Sequence, residues 1–278
     1  MQIGLRLHDG EKLPLEKLLP KVREKGFKCG HLALSKSLSP DHMRPGVLTP
    51  GFAMYLKRLF EKNELDIAVL GCYLNLADPD EDRLKANTEK YMAHIRFAAL
   101  AGVGVVGTET GAPNSAYKYE PACHTQKALE TFIENLRPIV GYAEKMGVIL
   151  AIEPVYKHIV YTPQAARYVL DTVNSPNLQI IFDPVNLLHP YNLHRREEVL
   201  SDAMELLGKD IAVVHIKDYI QKDGELVSVA AGTGEMDYRE IMSFIKREKP
   251  FIHVTLENTS PDNSQKSRAF IEKIYEEV

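Results

Sequence analysis

Four apolar runs in this chain each stop on a side chain able to bind a cation. Val148-Ile149-Leu150-Ala151-Ile152 runs into Glu153-Pro154, and Ile180-Ile181-Phe182 into Asp183-Pro184. Ile211-Ala212-Val213-Val214 runs into His215, and His253-Val254-Thr255-Leu256 into Glu257. Successive stops lie 30, 32 and 42 residues apart. A strand, its helix and the returning parallel strand take roughly 30 residues or more. The four side chains are therefore expected at one level, at the C-terminal ends of four successive parallel strands. Two glutamates, an aspartate and a histidine drawn to a point make a site for a divalent cation, with oxygen donors and one nitrogen.

The pattern extends over the whole chain. Strands are expected over 2–7, 28–34, 65–73, 103–108, 148–153, 178–182, 211–215 and 251–256. Helices are expected over 15–25, 52–63, 82–101, 125–146, 163–173, 196–207, 238–248 and 264–276. Eight strands alternating with eight helices predict an α/β fold, a closed (β/α)8 barrel forming one domain over 1–278. A doubly wound sheet would want a Gly-rich phosphate turn after the first strand, and His8-Asp9-Gly10 is not one. Residues 35–50 and 217–235 read as long loops, the second with a turn at Lys222-Asp223-Gly224.

Alternate residues of a strand face alike. If Glu153 points into the barrel, so do Ala151 and Ile149. Asp183 brings Ile181, and His215 brings Val213 and Ile211. In the first strand Ile3, Leu5 and Leu7 are expected to face the helices. Glu109 shares parity with Gly107 and Val105. Lys217 stands two residues above His215.

Taken singly, these residues have plain explanations. A carboxylate after a strand is most often a helix cap or a surface group, and a lone histidine is most often a satisfied core residue. Together at one level they cannot all be that, because packed carboxylates repel and raise one another's pKa. A divalent cation relieves this. Lys217 could equally be a solvated loop lysine. Glu109 and His8 are candidates for substrate contact, and Asn75, His31 and Tyr73 for the mouth of the barrel. Gly232-Thr233-Gly234 is a poor phosphate cradle and reads better as the turn into Asp237, the expected cap of the following helix.

Bulk properties exclude several classes. The formal net charge of −4 leaves no footprint for a nucleic-acid backbone. No apolar run approaches the roughly 20 residues that span a bilayer. The N-terminus starts directly as a strand, without a signal-peptide layout. Cys29, Cys72 and Cys123 are far apart and form no CxxC, so a disulfide framework or thiolate zinc site is not expected. The compartment is read as cytoplasmic.

The set Ile-Glu-Pro, Phe-Asp-Pro-x-Asn, Val-His-Ile-Lys-Asp, Gly-x-Gly-Glu-Met-Asp-Tyr and Leu-Glu-Asn resembles the xylose-isomerase-like sugar phosphate isomerase/epimerase superfamily. The resemblance covers nearly the whole chain and is strongest from Ile152 to Asn258. Ketose 3-epimerases of that superfamily hold Mn²⁺, Mg²⁺ or Co²⁺ with Glu, Asp, His and Glu. It therefore implies Glu153, Asp183, His215 and Glu257 as metal ligands, with Glu153 and Glu257 as the acid/base pair. The implied substrate is a small sugar or sugar phosphate, and the implied assembly a homodimer or tetramer. Zn²⁺ is a further choice of cation.

The chain departs from the epimerase pattern in its substrate shell. Those enzymes carry a histidine where Asn186 stands, with His189 three residues on. They carry a second glutamate where Ile159 stands, beside His158, and an arginine where Gln221 stands. The His-Ile-Lys-Asp form also resembles the inosose dehydratase branch, which implies a lyase with Lys217 as base or carbonyl contact. Lys217, Glu109, His8, Asn186 and His189 form the expected substrate set. A hydrolase related to abasic-site endonucleases is a third reading, disfavoured by the acidic balance and the scarcity of further histidines at the strand ends. A barrel that only binds a sugar is the fourth.

Overall fold

The strands and helices begin and end where local chemistry dictates. Thr49, Asp80, Thr125 and Thr162 accept the N–H groups of Phe52, Arg83, Ala128 and Ala165 at 3.0–3.3 Å. Each satisfies an N–H that the first helical turn leaves without a partner. At the other end, Gly102 takes a left-handed conformation with φ of 72°, and its N–H closes on Ala98. A side chain would be strained there.

The computed structural model describes residues 1–38 and 46–278. Eight parallel strands form a closed barrel: β1 (Gln2–Arg6), β2 (Cys29–Ala33), β3 (Asp66–Gly71), β4 (Val105–Glu109), β5 (Ile149–Glu153), β6 (Leu178–Phe182), β7 (Ile211–Ile216) and, last in the chain, β10 (His253–Leu256). Between them run α1 (Leu15–Glu24), α2 (Leu34–Ser37), α3 (Pro50–Lys62), α4 (Glu81–Ala101), α5 (Gln126–Met146), α6 (Pro163–Val173), α7 (Arg196–Leu207) and α8 (Arg239–Glu248). The last helix is α9 (Ser264–Glu277). β1 closes the barrel by pairing with both β2 and β10. The fold is the expected (β/α)8 barrel. Among the described residues, no helix is long and apolar enough to cross a membrane.

Two apolar layers hold it. Ile3, Leu5 and Leu7 join the large layer between strands and helices, as the alternation predicts. Inside the barrel a smaller cluster packs Cys29, Ala68, Val69, Ala151, Ile181 and Val213. Gly107 belongs to this interior, since a Cβ there would lie 2.6 Å from both Ile181 and Val69. Ile211, expected inside, lies in the outer layer instead. The cause is an irregular register between β6 and β7, where Ile180 pairs with Ile211 but Ile181 pairs with Val213. Ala212 is the extra residue, and such a bulge breaks strict alternation.

Two expected loops come out differently. The loop over 35–50 falls partly outside the described residues. Within them Leu34–Ser37 is already a helical turn and Pro50 already starts α3. The segment 217–235 contains a hairpin, β8 (Asp218–Lys222) with β9 (Glu225–Val229). Its turn is the expected one, with Asp223 and Gly224 both at positive φ. Asp237 does not supply the N-cap position of α8, which is Tyr238, although its Oδ1 accepts the Arg239 N–H at 3.0 Å.

Candidate active site

The C-terminal ends of β5, β6, β7 and β10 bring Glu153, Asp183, His215 and Glu257 together, all buried. His215 Nδ1 lies 3.4 Å from Glu153 Oε1 and 3.3 Å from Glu257 Oε1. Donor atoms of Glu153, Asp183 and His215 lie within 4.8 Å of one another, and so do those of His31, His215 and Glu257. Neither ring nitrogen of His215 has a hydrogen-bond partner among the described residues.

The surrounding groups hold this cluster in place. Asp183 Oδ1 accepts the backbone N–H groups of Val185 and Asn186 at 2.9 and 3.0 Å. The Asn186 amide donates to Glu153 Oε1 at 2.7 Å. The Lys217 ammonium lies 2.8 Å from Asp183 Oδ2 and 3.4 Å from Glu257 Oε2. Arg6, from β1, reaches Glu257 Oε2 at 3.0 Å.

The electrostatics follow from burial and these neighbours. Burial pushes the Glu257 carboxyl up, but His215, Lys217 and Arg6 outweigh it and hold its pKa well below the carboxylate range. Burial raises Asp183, and Lys217 opposes this. Burial also disfavours a charged His215, yet Glu153 and Glu257 overcome it and raise its pKa to about 9. Lys217 is likewise pushed up against its burial by Asp183 and Glu257, so it is an ammonium. Four carboxyl groups, Glu109, Glu153, Asp183 and Glu257, thus accompany three cationic groups, Lys217, Arg6 and the protonated His215. A divalent ion held by His215 would take the place of its proton. The orphaned His215 ring beside three carboxylates is a donor set that suits such an ion.

A cavity of about 610 Å³ opens above the cluster, and Glu153, Glu257, Asn186 and Lys217 line it. Glu109 and His8 line it too. The Tyr117 hydroxyl donates to Glu109 at 3.3 Å, and His158 approaches Glu109 at 3.8 Å. His189 is not brought there. It stacks on Tyr156 at 4.2 Å in a separate pocket. The chain turns between Val185 and Asn192, so counting on from Asp183 does not carry His189 inward.

Of the weaker candidates, His31 and Tyr73 line the cavity, joined by a 3.0 Å hydrogen bond, and His31 stacks on His215 at 5.1 Å. Asn75 does not line it, because its side chain is tied to Ala77, Ala112 and Asn114. The Gly232-Thr233-Gly234 turn donates two N–H groups to Asp218 Oδ2, at 3.1 and 3.0 Å, so its backbone donors are already taken. Sequence reasoning missed Arg6 and Tyr117 as site residues. Arg6 carried a signal: it ends the first strand on the parity opposite to Ile3 and Leu5.

The sequence model of the xylose isomerase-like TIM barrel family matches residues 19–274. The chain belongs to this family. Among curated proteins none matches it. Several solved structures superpose over nearly the full chain. A D-tagatose 3-epimerase-like protein does so with a TM-score of 0.78 and 21% identity, covering 100% of this chain and 98% of its own. An IolI protein with a bound zinc atom gives 0.74 and 18%, covering 99% and 96%. D-psicose 3-epimerase from Clostridium cellulolyticum H10, solved with D-tagatose, gives 0.74 and 16%, covering 99% and 99%. At these identities the likeness concerns the fold.

Proposed function

We propose that this member of the xylose isomerase-like family is a divalent-metal-dependent isomerase or epimerase of a sugar or sugar phosphate, acting by proton transfer. One observation carries the reading. Glu153 and Glu257 are buried at the barrel mouth on either flank of the same His215 nitrogen, within 3.4 Å of it. The epimerases and the zinc-bound protein that share the fold agree with it.

Glu153, Asp183, His215 and Glu257 would hold the metal, as Mn²⁺, Mg²⁺, Co²⁺ or Zn²⁺. When bound, the ion would act as a Lewis acid toward a carbonyl oxygen and a neighbouring hydroxyl. The chain's own groups do the rest. One glutamate takes the proton from the carbon beside the carbonyl, and the other returns one from the opposite face. Strands β6 and β7 separate the strands that carry them, so the two carboxylates come from different sides of the mouth. Asn186 fixes Glu153, and Arg6 with Lys217 fixes Glu257 and keeps it ionised. General acid/base work of this kind contributes about 10²–10⁴-fold. The proposed partner is a small molecule, with neither nucleic acid nor membrane. A cytoplasmic, homodimeric or tetrameric enzyme completes the reading, and its three cysteines are buried and free.

A second reading is a lyase of the inosose dehydratase kind. Lys217 favours it, as a buried ammonium set between Asp183 and Glu257 and positioned to protonate a leaving hydroxyl. The abasic-site endonuclease reading has less support. His189 stands away from the cluster, and the net charge is −4.

The test is NMR of ketoses, ketose phosphates and inososes in D₂O, with metal-loaded protein and then with chelator. Chelator-sensitive deuterium uptake at one carbon, with an epimer or aldose appearing, is expected. Loss of water from an inosose would move the assignment to the lyase. No exchange with any of them would overturn the substrate class.

A further inference from the structure

The cavity lining is of two chemical kinds. Its carboxylates, Glu109, Glu153 and Glu257, all stand at strand ends around the proposed metal centre. Lys36 from α2 and Lys90 and His94 from α4 line the cavity too, on helices that follow the neighbouring strands β2 and β3. Lys90 and His94 are four residues apart on one helix and so share a face. Between them Tyr91 turns inward, its hydroxyl 2.6 Å from Thr108 and 3.1 Å from the Leu74 N–H, which fixes this turn of α4 against the barrel.

The two lysines differ from the other cations that line the cavity. Lys217 and Arg6 are matched to Asp183 and Glu257. Among the described residues, neither Lys36 nor Lys90 takes part in an ion pair. His94 Nδ1 lies 2.8 Å from the Lys90 carbonyl, which can only accept. Nδ1 therefore carries a proton, and Nε2 donates to an anion once it is protonated too, a form that an anion beside the ring favours. Two unpaired ammonium groups and a histidine, in the cavity of a chain with net charge −4, are not part of a generally basic surface.

We infer that the substrate carries an anionic group, a phosphate monoester or a carboxylate, held by Lys36, Lys90 and His94 while its carbonyl end meets Glu153 and Glu257. The inference rests on the proton-transfer reading of the cavity floor. Charge-assisted hydrogen bonds to such a group are among the strong ones.

The binding test uses the full chain loaded with Mg²⁺ and carrying ¹⁵N-labelled histidine. It is titrated with inorganic phosphate and with acetate at fixed ionic strength. His94 is assigned by the signal lost in His94→Gln. A saturable shift of His94, weakened about tenfold or more in a Lys36→Met/Lys90→Met variant, is expected. Tighter binding of phosphate assigns the ester, and tighter binding of acetate the carboxylate. No shift with either anion, or equal affinity in a double variant that circular dichroism shows to be folded, overturns the inference.

Turnover separates the two readings. Deuterium uptake is compared between neutral ketoses and the matching phosphates and ketoacids, and kcat/KM is expected to be about tenfold or more higher for the anionic member. Equal values overturn the anionic group and leave the proton-transfer reading standing. Absent uptake in all of them, with His94 still titrating with phosphate, overturns the proton-transfer reading and leaves the anion site standing.

Discussion

Asn186 binds two of the site carboxylates at once. Its side-chain amide donates to Glu153 at 2.7 Å, and its backbone N–H donates to Asp183 at 3.0 Å. One residue thereby sets the spacing between donors carried by different strands. Groups that orient metal ligands typically govern affinity by about 10–100-fold. Asn186→Ala is expected to weaken divalent-metal binding by that factor, read by isothermal titration calorimetry. An unchanged affinity would mean that Glu153 needs no such support.

Glu257→Gln removes the charge and the base while keeping the shape. Turnover should fall by about 10²-fold or more. Circular dichroism and the melting temperature should show a folded protein. Normal turnover would rule out a mechanism with two glutamates.

Metal removal has a stability signature of its own. An ion that binds only the folded chain stabilises it by about 2.7 kcal/mol when its concentration is 100 times its Kd. Dialysis against chelator is expected to lower the Tm, and added Mn²⁺ to restore it. The same pair of melts on a variant combining Glu153→Gln with Asp183→Asn should show no metal dependence.

The barrel interior tolerates no added volume at Gly107. An alanine there would place its Cβ 2.6 Å from Ile181 and Val69. Overpacking of a filled core costs about 1–3 kcal/mol. Gly107→Ala should therefore lower the urea midpoint at an unchanged m-value, whereas alanine at the open Gly141 within α5 should not.

Acid stability should depend on His158. Burial lowers its pKa from 6.5 to about 4, with Glu153 opposing. Below pH 6.5 the unfolded chain takes up a proton that the folded chain refuses until about pH 4. Its contribution to stability is therefore complete above pH 6.5 and declines as pH falls toward 4. The loss reaches at most about 3 kcal/mol. In His158→Asn, thermal melts between pH 7 and 4 should show a shallower decline, and an equal slope would exclude this histidine as the cause.

What could be read in the sequence was what repeats. The apolar runs ending on Glu153, Asp183, His215 and Glu257 gave both the barrel and the cluster, because parallel strands present the same end to one mouth. Closure was not legible locally. Arg6 meets Glu257 only because β1 and β10 pair across nearly the whole length of the chain. The hairpin was hidden for another reason. Glu225-Leu226-Val227-Ser228-Val229 is largely exposed and shows no apolar face. Its base is set by Asp218, whose carboxylate collects the N–H groups of Gly232, Gly234 and Met236. Residue spacing from Asp183 suggests the mouth for His189, but the turn after Asp183 sends it to Tyr156 instead.

The extra residue in β7 has a consequence for how this strand can change in length. Ala212 sits in the bulge below Val213, and from Val213 onward the strand is back in step with β6. Losing Ala212 would leave a regular strand with His215 still facing the carboxylates. Losing Val214 would shift His215 by one place and turn its imidazole toward the helices, because a one-residue slip reverses the facing of every side chain beyond it. Insertions and deletions are therefore compatible with the chemistry at the foot of this strand and incompatible with it two residues higher.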